Sequence, residues 1–241
     1  MKLREWQQAA LSQYFDEDPD DFLAVATPGA GKTTFALTLA RRLLDRRAVN
    51  RIIVVVPTEH LKHQWADAAS RMGIALDANF TNSAGTLNPV FDGMVVTYAQ
   101  VSMHPFKHNS LATRTKSLVI MDEIHHGGDA KSWGDGIRYA YSDSAKRLEL
   151  TGTPFRSDDA PIPFVRYIED GDGHQVSRAD YTYGYSHALR DGVVRPVVFM
   201  AYSGEARWRD SAGEEFAARL GEPLSAEHTA KAWKTALDPK G

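Results

Sequence analysis

The chain has 241 residues, 43 % of them apolar, with 28 Lys and Arg against 31 Asp and Glu and a formal charge of −3. That is enough apolar material for one large domain, or one domain and part of another, while no apolar run approaches the roughly 20 residues of a membrane span. The net charge argues against a polycation that coats nucleic acid, so any such contact must come from a local groove. Zero cysteines exclude disulfides and thiolate zinc sites, and Met1 to Trp6 is too polar for a signal peptide. A cytoplasmic location is the expectation.

Leu3 to Phe15 carries apolar residues at Leu3, Trp6, Ala10, Leu11, Tyr14 and Phe15, the pattern of an amphipathic helix closed by the acidic turn Asp16 to Asp21. Its start, Leu3-Arg4-Glu5-Trp6-Gln7, reads either as a packing helix with exposed polar residues or as a nucleobase clip. A Gln amide offers donor and acceptor together, and an Arg guanidinium can lie on a flat ring. Phe22 to Val25 reads as a buried strand and Thr34 to Arg47 as a helix. Between them stands Ala26-Thr27-Pro28-Gly29-Ala30-Gly31-Lys32-Thr33, a glycine-bearing turn in the strand-to-helix context of a phosphate-binding loop. Gly29 and Gly31 let the backbone curl so that its amides face inward, and the helix N-terminus adds partial positive charge. Lys32 is placed to reach β/γ-phosphates and the Thr33 hydroxyl to hold Mg²⁺. Ala26 stands where the usual pattern has Gly.

Arg51 to Val56 is a continuous β-branched run, as in a parallel strand covered on both faces. Pro57-Thr58 ends it and Glu59 to Met72 reads as a helix, in which His60 and His63 stand three apart and lack a third ligand nearby. One short strand is expected within Leu76 to Phe80, and another at Gly93 to Tyr98. The stretch that follows, with Lys107, His108, Arg114 and Lys116, is poorly determined. Ser117 to Met121 is the next buried strand, Trp133 to Tyr141 a helix, and Arg147 to Leu150 a strand running into Thr151-Gly152-Thr153-Pro154. Alternating strands and helices indicate an α/β domain with a mostly parallel sheet and ligands at the carboxyl ends of its strands. Beyond Arg156 the character changes. Ser157 to Arg178 reads as a connector, Tyr185 to Asp191 as a short helix, Val193 to Tyr202 as a strand interrupted by Pro196, and Glu214 to Leu220 and Ser225 to Leu237 as helices.

Asp122-Glu123 at a buried strand end supplies the second half of an NTPase site. Asp122 can hold Mg²⁺ through water, and Glu123 can orient and deprotonate an attacking water.

In this order the motifs resemble the first RecA-like domain of a superfamily 2 helicase or translocase, of the DEAD/DEAH type in the broad sense. The residues that carry the resemblance are Ala26 to Thr33, Asp122-Glu123-Ile124-His125 (a DEIH box) and Thr151-Gly152-Thr153. Weaker matches are Pro57-Thr58 with Leu61 and Gln64-Trp65, then Val96-Thr97-Tyr98, and Leu3 to Gln7 for the adenine-binding segment. The resemblance implies an α/β RecA-like P-loop NTPase domain at residues 1–157, with 158–241 as connector and possible start of an incomplete second motor domain. It implies ATP with Mg²⁺ as cofactor, bound by Thr27, Pro28, Gly29, Ala30, Gly31, Lys32, Thr33 and Thr34, with Arg4 and Gln7 on adenine. Thr33 and Asp122 would hold the metal, and Lys32, Asp122 and Glu123 would carry catalysis. His125, Thr151 and Thr153 would couple hydrolysis to domain movement. Pro57, Thr58, Thr97 and Tyr98 would lie along a nucleic-acid strand, DNA before RNA, through hydroxyl and main-chain contacts that need no strongly basic surface.

One departure stands out: the chain contains no glutamine-and-arginine-rich segment of the kind that supplies arginine fingers from a second motor domain. The expectation is therefore a fragment of a two-domain motor, or a domain whose partner comes from elsewhere, weakly active by itself. The competing reading is a nucleotide-dependent interaction module with little turnover; Thr151-Gly152-Thr153 and the DEIH box argue against a small-molecule kinase.

Overall fold

The computed structural model describes residues 2–84, 86–128, 131–154, 161–171, 174–196, 205–209 and 215–219. It divides into two compact units, Met1–Arg195 and Pro196–Gly241. In chain order the first unit contains α1 (Glu5–Glu17), β1 (Asp21–Ala26), α2 (Lys32–Asp45), β2 (Arg51–Val56), α3 (Glu59–Ser70), β3 (Leu76–Asp77) and β4 (Gly93–Thr97). There follow α4 (Tyr98–Met103), α5 (Pro105–Thr113), β5 (Ser117–Asp122), a 3-10 turn (Ile124–Gly128), α6 (Lys131–Tyr141) and β6 (Lys146–Thr151). The unit closes with β7 (Arg166–Glu169), β8 (Gln175–Arg178), β9 (Tyr181–Tyr183) and α7 (Tyr185–Arg190).

Seven strands form one parallel sheet in the order β3-β4-β2-β5-β6-β1-β9. The β-branched run of β2 sits inside it, where both faces are covered. Ile52, Val54 and Val56 turn to one face with Trp6, Leu11, Phe35, Leu39 and Trp65 from α1 to α3. Ile53 and Val55 turn to the other with Val101, Ala112, Ile137 and Tyr141 from α4 to α6. The period-two alternation of a strand thus feeds two apolar layers from one continuous run. Among the described residues no helix is long and apolar enough to cross a membrane.

Several expectations are corrected. The strand expected within Leu76 to Phe80 is only Leu76–Asp77. The undetermined stretch after β4 is two helices: the Thr97 hydroxyl caps α4 by accepting from the Gln100 amide, and Pro105, which needs no amide partner, opens α5. What read as a connector holds the antiparallel pair β7–β8, and β9 then joins the main sheet beside β1, pairing Ala24 with Tyr181 and Ala26 with Tyr183. The first compact unit therefore continues past residue 157, where the sequence changes character. Residues 193–196 are not a strand, and the rest of that expected element lies outside the described residues.

The second unit contains the antiparallel pair β10 (Glu205–Arg209) and β11 (Glu215–Arg219). Glu214 to Leu220 was expected as a helix. Its Glu, Ala and Leu content favours one, but so short an isolated helix is marginal and pairing with a neighbouring strand overrides propensity. The helix expected at Ser225 to Leu237 lies outside the described residues.

Candidate nucleotide site

The loop after β1 is shaped by two left-handed glycines. Gly29 has φ +75° and Gly31 φ +91°, a region that residues with a Cβ rarely enter. At Gly31 a Cβ would also lie 2.8 Å from Gln7 Nε2, so a side chain there would push the Gln7 amide aside. Gly31 is the N-cap of α2, so the first amides of that helix, which have no intrahelical partner, gather at the loop.

Lys32, almost fully buried, donates from Nζ to the Ala26 carbonyl at 3.1 Å and pairs with Glu123 Oε1 at 3.0 Å. That ion pair spans three strands, because β6 lies between β1 and β5. Glu123 reaches it with φ +48°, a conformation costing about 1–2 kcal/mol for a residue with a Cβ. Its other oxygen, Oε2, accepts from the Gly152 amide at 3.2 Å and lies 3.6 Å from His125 Nδ1. His125 Nδ1 is also 2.9 Å from Thr151 Oγ1. Thr151 Oγ1 gives its single proton to the Thr153 carbonyl at 3.0 Å and accepts from the Thr153 amide at 3.1 Å. A proton on His125 Nδ1 serves both neighbours, the Thr151 hydroxyl and the Glu123 carboxylate.

Asp122 ends β5. Its Oδ2 accepts from Trp65 Nε1 at 2.8 Å and its carbonyl accepts from the Tyr98 hydroxyl at 2.9 Å. Burial pushes the Asp122 carboxyl above its ordinary value; the indole hydrogen bond and Lys32 oppose this, and the neighbouring Glu123 adds to it.

From the other side α1 grips the loop. Arg4 donates to the Gly29 and Ala30 carbonyls at 2.9 and 2.8 Å, Trp6 Nε1 to Ala30 at 3.1 Å, and Gln7 Nε2 to Gly31 at 2.9 Å. Gln7 Oε1 accepts from the Arg4 amide at 2.8 Å. The Gln7 side chain thus uses one of its two donors and one of its two acceptor sites within the chain.

The structure brings together Lys32, Glu123, His125, Thr151 and Thr153, and Arg4, Gln7, Gly29, Ala30 and Gly31. Thr33 and Thr34 occupy the first turn of α2, half-buried. Thr27 and Pro28 open the loop, and the Thr27 hydroxyl is buried without a hydrogen-bond partner among the described residues. At the neighbouring strand ends Val56 pairs with Thr97, so Pro57, Thr58 and Thr97 lie close along one rim; Thr58 Oγ1 is 3.1 Å from His60 Nδ1. Tyr98 needs correcting. Its side chain is wholly buried and its hydroxyl is spent on Asp122, so it has no face for a strand of nucleic acid. Two contacts carried no local sequence signal: the Trp65 bond to Asp122, and Tyr183, whose ring stacks on Trp6 at 5.3 Å and whose carbonyl accepts from the Thr27 amide at 3.2 Å. Both depend on elements remote in sequence.

A loop strand and an acidic strand separated by the strand of Thr151 define a class: this is the first RecA-like domain of the superfamily 2 helicase type. The chain belongs to the family described as type III restriction enzyme, res subunit, which residues 1–156 match. It is 64 % identical over 239 residues to the uncharacterized protein Rv2917 of Mycobacterium tuberculosis and 61 % identical to ML1624 of Mycobacterium leprae. In each case 99 % of this chain is covered, and it spans about 40 % of the length of these curated relatives. Among solved structures the fold resembles the Sulfolobus solfataricus SWI2/SNF2 ATPase core in complex with dsDNA (TM-score 0.53, 18 % identity, 64 % of this chain and 32 % of that one). It also resembles the type ISP restriction-modification enzyme LlaGI in complex with a DNA substrate mimic (TM-score 0.55, 16 % identity, 80 % and 21 %).

Proposed function

We propose that this chain is the ATP-binding motor domain of a nucleic-acid-dependent ATPase, with Mg²⁺ as cofactor. The observation that carries the reading is the Lys32–Glu123 ion pair of 3.0 Å, which holds the phosphate loop and the acidic strand end at one point. The unpartnered Thr27 hydroxyl and the inward amides suit an anion with many acceptor oxygens. Asp122, whose Oδ2 accepts from Trp65, and the Thr33 hydroxyl form a hard oxygen set that fits Mg²⁺. When bound, the metal neutralises charge on the β- and γ-phosphates.

Lys32 turns from Glu123 to the β/γ-phosphates, and Glu123 is thereby released to hold a water. As that water's oxygen attacks the γ-phosphorus, its proton passes to the Glu123 carboxylate, and ADP leaves with the β–γ bridging oxygen. His125, hydrogen-bonded to Thr151, links this carboxylate to Thr153 and so to the segment that moves between nucleotide states. Arg4 and Gln7 lie on the adenine side of the loop; the Gln7 amide, almost wholly buried here, must turn outward to reach the base. Thr58, with the backbone at Pro57 and Thr97, contacts the phosphates of a DNA or RNA strand; the Thr97 side chain is buried and its hydroxyl caps α4. A second RecA-like domain, supplied by the longer protein, completes the motor.

Calorimetry with Mg-ATP tests the site. Lys32→Ala should lose binding by at least about tenfold, since more than one charge-assisted hydrogen bond goes, while its thermal unfolding stays cooperative. Equal affinity in a folded Lys32→Ala protein would refute the assignment.

A further inference from the structure

Beside the phosphate loop, on the far side of Arg4, lies a pocket of about 340 Å³ lined by Arg4, Glu5, Tyr183, Asp191 and Val193. Tyr183, Asp191 and Val193 all lie beyond the matched segment 1–156, in a stretch that resembles the connector into a second motor domain. They arrive through β9 and α7, and the pocket exists only because β9 joins the sheet next to β1. Its floor is stiff. The Tyr183 ring is buried against Trp6, and Trp6 donates to Ala30 in the loop. The Tyr183 carbonyl takes the Thr27 amide, the first residue of the same loop. The Tyr183 hydroxyl donates to Asp191 Oδ2 at 2.8 Å. One carboxylate oxygen is thereby fixed at the C-cap of α7, and among the described residues Asp191 Oδ1 has only a distant ion pair, 3.9 Å from Arg190 Nε. Opposite it, Arg4 is locked by the Gly29 and Ala30 carbonyls. The pocket therefore presents a planar cation and an oriented acceptor, both fastened to the loop through short hydrogen-bonded paths.

From this geometry we infer that Asp191, oriented by Tyr183, reads the nucleoside end of the bound nucleotide by accepting a hydrogen bond from it. The inference rests on the ATP reading above and extends it to residues beyond the matched segment 1–156. A nucleotide whose phosphates lie on the loop extends its nucleoside past the residues that flank the loop, and Arg4 and Tyr183 both touch the loop and line the pocket. Two groups of adenosine can donate to a carboxylate, the exocyclic amine and the ribose hydroxyls, and the acceptor chemistry is the same for both. Asp191 contributes selectivity, because an analogue that lacks the donor leaves the carboxylate unpaired. Tyr183 is a positioning residue. It touches the nucleotide only through Asp191 and holds the carboxylate in place.

The test is equilibrium binding of Mg-ATP, Mg-GTP, the triphosphate of purine riboside (no amine) and 2′,3′-dideoxy-ATP to the whole chain and to Asp191→Ala and Tyr183→Phe. In the wild type one of the two analogues should bind about tenfold or more weakly than ATP, and that analogue names the donor. Asp191→Ala should erase this difference by weakening ATP and leaving the poor analogue unchanged. Tyr183→Phe, which keeps the ring stack, should erase part of it. If the wild type binds ATP and Asp191→Ala keeps every ratio, the inference is overturned while the ATP site stands. If the wild type binds none of the four, the ATP reading itself fails and this inference falls with it.

Discussion

A carboxyl group lies inside the sheet at Glu149. In register it stands between Leu23 of β1 and Met121 of β5. It is almost wholly buried, and its Oε1 has no hydrogen-bond partner among the described residues. Burial pushes its pKa well above the ordinary carboxylate value; Asp21 adds to the effect and Arg147 opposes it. A raised folded-state value means that the native protein holds the proton more tightly than the unfolded chain. The stabilising contribution is complete below the ordinary carboxylate value and is lost as pH rises towards the folded one. Glu149→Gln should therefore unfold at a higher temperature than the wild type at neutral pH, by on the order of a few degrees. The advantage should shrink towards zero near about pH 4.5. Melting curves across that range check it, and a difference independent of pH would count against a titrating Glu149.

At the scale of elements, α5 illustrates how a helix can hold a loop through one neutral imidazole. His108 is fully buried, and its Nε2 donates to Asn82 Oδ1 at 3.0 Å; the Asn82 amide nitrogen in turn donates to the Gln100 carbonyl at 2.8 Å. Lys107 Nζ donates to the carbonyls of Asn82 and Ala84 in the same loop. Burial, aided by the positive charge of Lys107 and by His104, pushes the His108 pKa down from 6.5 to about 4. Here the unfolded chain binds the proton more tightly, so stability is complete above about pH 6.5 and declines as pH falls towards 4. At about 1.4 kcal/mol per pH unit the loss reaches about 3 kcal/mol. Urea unfolding should show that decline, and His108→Gln, which keeps a donor for Asn82, should show a flatter profile. Identical pH slopes for the two proteins would exclude His108 as its source.

For the whole molecule, the unit Met1–Arg195 carries the glycine-bearing loop and the Asp122–Glu123 pair proposed above as the ATP site, and the chain spans about 40 % of the curated relatives it matches. Glu123 can place the water, but stabilising charge on the transferring phosphate is commonly the work of an arginine supplied by another domain, worth roughly 10³–10⁵ in rate. Residues 1–241 should bind Mg-ATP and hydrolyse it at least about 10³-fold more slowly than the full-length Mycobacterium relative. Nucleic acid should stimulate the longer protein far more, because a fuller groove contacts more phosphates and releases more counterions. Steady-state ATPase assays with single-stranded and duplex DNA and RNA decide it. Rapid, nucleic-acid-stimulated turnover by 1–241 alone would contradict the half-motor reading.

What the residues alone determined was everything written in a local pattern. The run Ile52 to Val56 reads as a strand covered on both sides, and Gly29-Ala30-Gly31 between strand and helix as a tight, amide-rich turn leading into Lys32 and Thr33 of α2. Both are set by near-neighbour sterics and by the period of the side chains, which a linear reading sees. Tertiary structure decided whatever depended on partners distant in the chain. Nothing around Tyr181 to Tyr183 marks it as the seventh strand of a parallel sheet, because three residues acquire strand identity from the edge of β1 they pair with. Trp65 looks like a packing residue of α3 until β5 sets Asp122 beneath its indole nitrogen. Glu215–Arg219 followed its hairpin partner against its own helix-forming composition. In each case the deciding free energy is a hydrogen bond or a buried surface shared with residues far away in sequence, and neither exists until the chain has folded.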